Sequence, residues 1–146
     1  MKKRLKGYAA VFNSPSEEMP GGFKEQIQEG TFSETIKKDD VRLLFNHDPS
    51  LVLARNKAKT LKLSEDKKGL YFEASLPDTQ LGRDLATSVE RGDITSNSFG
   101  FFILSERWER RGGENIRVLE KVRLVDISAV TFPAYPATEL HVENEY

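Results

Sequence analysis

Between Lys3 and Phe12 apolar and polar positions alternate, with Leu5, Gly7, Ala9 and Val11 on one side of an extended chain. A period of two is the signature of a half-buried strand, so a first strand is predicted over residues 4–12. Asn13-Ser14-Pro15-Ser16 and then Pro20-Gly21-Gly22 break the pattern, and residues 13–22 read as a surface loop. Alternation resumes from Phe23 to Gln28. Thr31-Phe32-Ser33-Glu34 then has the form of a capping box and predicts a short helix to about Lys38, with Phe32 and Ile36 inward. Four short strands follow, over 41–47, 51–55, 60–64 and 70–76, separated by polar turns such as Glu65-Asp66-Lys67-Lys68-Gly69. One longer helix interrupts them. Asp78 or Thr79 caps it, Leu81, Leu85 and Val89 form its apolar stripe, and Gly92 ends it.

That helix leads into Ser96-Asn97-Ser98-Phe99-Gly100-Phe101-Phe102-Ile103-Leu104, a very apolar strand with small hydroxyl residues at one end. Extended, it turns Phe99, Phe101 and Ile103 one way and Ser96, Ser98, Gly100 and Phe102 the other. The strand becomes polar through Trp108. Arg111-Gly112-Gly113-Glu114 then predicts a tight hairpin, because two glycines allow positive φ at both central positions. On the return strand, 116–131, Val122, Leu124, Asp126, Ser128 and Val130 share one face and Val125, Ile127 and Ala129 the other, so both sides are expected to be covered. Phe132 to Ala137 leaves the sheet, and the polar tail after Glu139 is expected to be poorly ordered. Repeated short strands with few helices predict a mainly β domain, a barrel or a sandwich.

Composition narrows the function. At 146 residues and 38% hydrophobic there is enough chain for one core. The 22 basic and 23 acidic residues nearly cancel, which gives no global field favouring nucleic acid or an anionic membrane. There are no cysteines, hence no disulfide, thiolate nucleophile or cysteine metal site. Two histidines without ligand-like spacing argue against zinc, and Gly112-Gly113 does not precede a helix as a phosphate loop would. No cofactor is expected. Trp108 between Arg107 and Arg110 could stack on bases, though a solvated hairpin accounts for it more simply. Met-Lys-Lys-Arg has the charge of a signal-peptide start, but Lys6 and Asn13 interrupt any apolar run after it, so a soluble, intracellular protein is expected.

A serine held on a stiff strand, with only Gly100 beside it on that face, is fixed yet open to an approaching group, as a nucleophile must be, and needs an adjacent base. His141 lies in the acidic tail and reads as solvated. His47 closes the run Val41 to Asp48, on the strand face of Val41, Leu43 and Phe45, which would bring its ring out at the rim of the core. Asp126 is a carboxylate in apolar company, and burying one costs several kcal/mol unless it is paired. Its partner is either Arg123, Arg117 or a cross-sheet arginine, or the second nitrogen of His47. Together, His47, Ser98 and Asp126 would form an acyl-transfer triad, defined by geometry and not by chain order. Ser96 is the rival nucleophile. Asp48 is the rival orienter, ranked lower because adjacent strand residues point to opposite faces.

The same residues carry a resemblance. Gly7 to Phe12, Glu29-Gly30-Thr31-Phe32, Leu44-Phe45-Asn46-His47-Asp48, Gly69-Leu70-Tyr71-Phe72, Gly82-Arg83-Asp84, Arg91-Gly92-Asp93-Ile94, Ser98-Phe99-Gly100-Phe101 and Leu124 to Ala134 resemble the prohead serine proteases of tailed bacteriophages. The resemblance covers nearly the whole chain. It implies a fold like herpesvirus assemblin, a mostly antiparallel β-barrel flanked by a few helices. Carried over, Ser98 is the nucleophile, His47 the general base and Asp126 the third member, although assemblins use a second histidine there. Backbone amides near Ser98 or in 131–137 are the oxyanion candidates, each such donor worth about 3 kcal/mol in a transition state. The implied substrate is the scaffold or the N-terminal scaffolding portion of the major capsid protein, and the enzyme itself, inside the prohead in the host cytoplasm. Assemblins also imply a homodimer.

Such family members continue into a polar C-terminal extension, so residues 1–138 read as the catalytic domain. Residues 139–146 read as the start of an extension lost by trimming or self-cleavage. Two other readings remain: a non-catalytic β-barrel of the prohead, and a small-ester hydrolase using the same triad.

Overall fold

The computed structural model describes residues 2–145. Its strands form two sheets, one of four strands and one of five. The first sheet is antiparallel. β1 (Lys3–Val11) lies between β6 (Gly69–Ser75) and β9 (Glu139–Asn144), and β5 (Leu61–Glu65) flanks β6. The second sheet is built on β8 (Glu114–Val130), a 17-residue strand. β2 (Phe23–Ile27) pairs parallel with its first half and β3 (Arg42–Phe45) parallel with its second. β7 (Ser96–Arg111) runs antiparallel along its other edge, and β4 (Asp48–Arg55) folds back on β3.

The mainly β class agrees with the sequence reading, but the strands make two sheets rather than one closed barrel. Between them lies the core, in which Leu5, Ile27, Phe32, Leu43, Leu70, Phe72, Leu119 and Ile127 have no exposed surface. Phe32 meets Phe99 edge to face with ring centroids 5.3 Å apart, and Phe99 lies 5.8 Å from Tyr135. These contacts clamp the start of β7 to the core.

Two helices decorate the sheets. α2 (Gln80–Arg91) is as expected: the Gly82 N–H donates to Thr79 Oγ1 at 3.2 Å, and Gly92 ends it at φ 85°. The capping box at Thr31 does not form. α1 is confined to Thr35–Lys38 and its N-cap position is Glu34, without a side-chain cap. The reason is that the Thr31 hydroxyl donates to the carbonyls of Gln28 and Leu119, tying the turn to β8.

The tail also forms a strand over Glu139–Asn144, contrary to expectation. Leu140 and Val142 alternate inward as β9, opposite Gly7 and Leu5, and Lys6 reaches Glu143 at 2.8 Å. Gly7 permits this approach, since a Cβ there would lie 2.0 Å from the Glu139 carbonyl oxygen. A bulge between Tyr8 and Ala10 buries both Ala9 and Ala10, so Val11 departs from the predicted face.

Candidate active site

The site lies where three segments of the second sheet meet. β7 and β8 are in antiparallel register, with Ser96 opposite Val130, Ser98 opposite Ser128 and Gly100 opposite Asp126. Directly opposed residues share a face, which puts Ser98, Ser128, Gly100 and Asp126 on one small square of sheet. Ser98 is half-buried, between the buried Asn97 and Phe99. Asn97 is fixed by bonds from its amide to the carbonyls of Tyr8 and Glu139.

His47 arrives differently from the sequence expectation. β3 ends at Phe45 and β4 begins at Asp48, paired with it, so Asn46 and His47 form a two-residue turn with φ 51° and 57°. Positive φ at both positions suits the twist of a hairpin, and Asn and His are among the residues that adopt it most readily. His47 therefore projects from a turn and not from a strand face. The turn is held by β8: Asn46 N–H donates to the Ala129 carbonyl at 2.9 Å, Thr131 N–H to Asn46 Oδ1 at 3.0 Å, and Asn46 Nδ2 to Thr131 Oγ1 at 3.3 Å. With its amide so engaged, Thr131 is not a free oxyanion donor.

From that turn the His47 ring places Nδ1 2.7 Å from Asp126 Oδ2. A carboxylate only accepts, so Nδ1 carries the proton and Nε2 is left with its lone pair. Asp126 is 6% exposed and the His47 side chain 40%. The hydrogen bond to Asp126 raises the His47 pKa above the usual histidine value, against the opposing effect of desolvation. The Asp126 partner left open by the sequence is thus His47. Arg117 is committed to Glu25 at 2.9 Å, and Arg123 lies over the Phe102 ring. Asp48, the rival orienter, accepts from Ser50 instead.

Gly100 does not leave space for an incoming group, as the sequence suggested. A Cβ there would sit 2.1 Å from Asp126 Oδ1 and 3.6 Å from His47 Nδ1, so the vacancy is filled by the carboxylate. Ser128, which sequence reasoning passed over, is fully buried between the two partners: its hydroxyl donates to Asp126 Oδ2 at 2.7 Å and accepts from His47 N–H at 3.0 Å. The signal available was Asp-Ile-Ser, which sets two polar residues among Val122, Leu124 and Val130 on one face of the strand. Among the described residues no hydrogen bond joins the Ser98 hydroxyl to His47, a contact that commonly tightens only with substrate bound. Nor does any group of histidines and carboxylates among them form a metal site.

A hydroxyl on a braced strand, on the same sheet face as a buried aspartate that holds a half-exposed histidine, offers the groups that serine acyl transfer uses. The family model of the caudovirus prohead serine protease matches residues 1–146. The chain belongs to that family. This prohead protease fold also resembles a solved herpesvirus enzyme, described as "Crystal structure of KSHV protease in complex with hexapeptide phosphonate inhibitor". The TM-score is 0.60 at 9% identity, covering 99% of this chain and 66% of that one. At such identity the likeness is one of fold. No curated protein matches the sequence. Serine-protease chemistry is what the family assigns to this scaffold. Trp108 packs edge to face on Phe23 at 5.1 Å and stays half exposed, with the Arg117 guanidinium 5.9 Å from its ring. No described helix is long and apolar enough to cross a membrane.

Proposed function

We propose that the chain is a serine endopeptidase of phage capsid maturation, with Ser98 as nucleophile, His47 as general base and Asp126 as the group that orients the imidazole. The observation that carries this reading is the 2.7 Å bond between His47 Nδ1 and the buried Asp126, set beside Ser98 across one strand pair in a chain of the prohead protease family.

The chemistry follows from the proton positions. Nε2 takes the Ser98 hydroxyl proton as Oγ bonds to the scissile carbonyl carbon. The tetrahedral adduct collapses with cleavage of the C–N bond, the Nε2 proton leaves with the amine, and an acyl-enzyme remains. Water then gives its proton to Nε2 and its hydroxyl to the acyl carbon, and Ser98 recovers its proton as the acid departs. Asp126 stabilises the imidazolium of each step. Because the His47 side chain is 40% exposed and Ser98 is only half-buried, the site suits an extended polypeptide at the surface better than a small ester in a closed pocket.

The substrate we assign is the scaffold or the N-terminal scaffolding portion of the major capsid protein, together with the enzyme's own chain, cleaved inside the prohead. The family supports capsid maturation as the setting. Co-expression with the uncleaved capsid protein and its scaffold, read by intact mass, tests it. Loss of a defined N-terminal piece or of the scaffold with the native chain, and in neither Ser98→Ala nor His47→Ala, is the expected result. Uncleaved proteins in all three would overturn the assignment and favour a non-catalytic β component of the prohead.

A further inference from the structure

Ser128 takes no part in bond making, because it has no exposed surface and cannot meet a substrate. Its hydroxyl nonetheless both donates and accepts. One proton donor and two acceptor sites are available to a serine, and here the donor goes to Asp126 Oδ2 at 2.7 Å while an acceptor site takes the main-chain N–H of His47 at 3.0 Å. The oxygen that receives the Ser128 proton is the one that receives the His47 Nδ1 proton. We propose that Ser128 is a positioning residue that fixes the imidazole and its carboxylate relative to each other, a role that rests on the catalytic reading of His47 and Asp126 given above.

Both partners need such a constraint. Asp126 could turn about its last side-chain bond and offer Oδ1 to the ring instead, but with Oδ2 held by two donors that rotation breaks two hydrogen bonds. His47 sits on a hairpin turn, whose remaining ties to β8 run through Asn46 to Ala129 and Thr131. The Ser128 contact grips the main chain of His47 itself. Ser128 also lies directly opposite Ser98 in the strand register, so a single β8 residue backs the nucleophile and locks the base. An alanine would leave a buried carboxylate short of one donor and the His47 amide without its acceptor.

The test compares the native chain with Ser128→Ala and the near-isosteric, weakly donating Ser128→Cys. In Ser128→Ala, kcat on the capsid substrate is expected to fall roughly ten- to a hundred-fold, the value of one hydrogen bond to a charged group, with KM unchanged. Ser128→Cys should fall between. In a His141→Gln background one histidine remains, and its NMR titration should move in Ser128→Ala, with exchange at the His47 amide accelerated. Should the alanine variant fail to fold, the cysteine variant carries the same readouts. Native kcat with a native His47 titration would overturn the role, as would a loss confined to thermal stability. The titration and exchange need no substrate. If they move while the native chain cleaves nothing, the protease reading fails and the positioning of His47 by Ser128 stands.

Discussion

His47 and Asp126, 79 positions apart in the chain, meet at 2.7 Å because a two-residue hairpin turn on one strand is pinned to the face of its parallel neighbour. The consequence is a fixed tautomer, with the proton on Nδ1 and the basic lone pair on Nε2. Asp126→Asn would present an amide that can donate to the ring and reverse that tautomer. A fall in kcat on the order of a thousand-fold or more is expected, with the fold intact by circular dichroism. Kinetics of the purified variant on the capsid substrate check it.

The pH dependence follows from the same pair. Asp126 holds the His47 pKa above the ordinary histidine value, and the general base must be neutral. kcat/KM is therefore expected to rise with pH through a limb lying above the usual value of about 6.5, and to level off beyond it. For stability the sign is opposite. The protonated ring's bond to Asp126 contributes fully below the unfolded histidine value and is lost as pH rises through the raised folded one. The difference in urea midpoint between the native chain and His47→Ala, measured across that window, should shrink with increasing pH.

Gly100→Ala tests how tightly the carboxylate is seated. The new Cβ would lie 2.1 Å from Asp126 Oδ1, a separation no real contact reaches, so Asp126 must move. Overpacking of this kind costs about 1–3 kcal/mol, and displacement from His47 should lower kcat at least tenfold. Thermal unfolding and kinetics on one preparation separate the two effects.

A second buried carboxylate makes a purely structural prediction. Glu25, 1% exposed, accepts from Arg117 Nε at 2.9 Å and from the Tyr135 hydroxyl at 2.6 Å. Burial and the Glu25 charge push the Tyr135 pKa far up, so the phenol stays protonated and keeps donating. Tyr135→Phe removes one donor and is expected to cost about 1–3 kcal/mol. Glu25→Ala, which leaves Arg117 half-buried and without this partner, should cost about 3–5 kcal/mol. Denaturant unfolding measures both.

What the sequence made legible was mostly local. The alternation of β7 and β8, the Gly112-Gly113 turn with φ 56° and 84°, and the Thr79-to-Gly92 helix are each set by residues close in the chain. Ser98, His47 and Asp126 could be singled out by type and by the cost of burying a carboxylate, and the family resemblance joined them. Contacts formed across the sheet could not be read that way. The Thr31 capping box failed because Leu119, 88 residues away, captured the hydroxyl. The tail became a strand because β1 had an open edge with Gly7 on it. His47 left the strand face because the strand ended at Phe45, two residues before its predicted end. Gly100 and Ser128 acquired their roles only from the register that set them opposite Asp126 and Ser98.

The central claim is that Ser98 is a nucleophile activated by His47, and labelling with a fluorophosphonate tests it without knowledge of the substrate. Such reagents phosphonylate an activated serine hydroxyl with loss of fluoride. Intact mass and peptide mapping are predicted to show one adduct on the peptide containing Ser98, absent in Ser98→Ala and strongly slowed in His47→Ala. A native, folded chain that takes up no label, or carries it on Ser96 or another serine while Ser98 stays unmodified, would contradict the account.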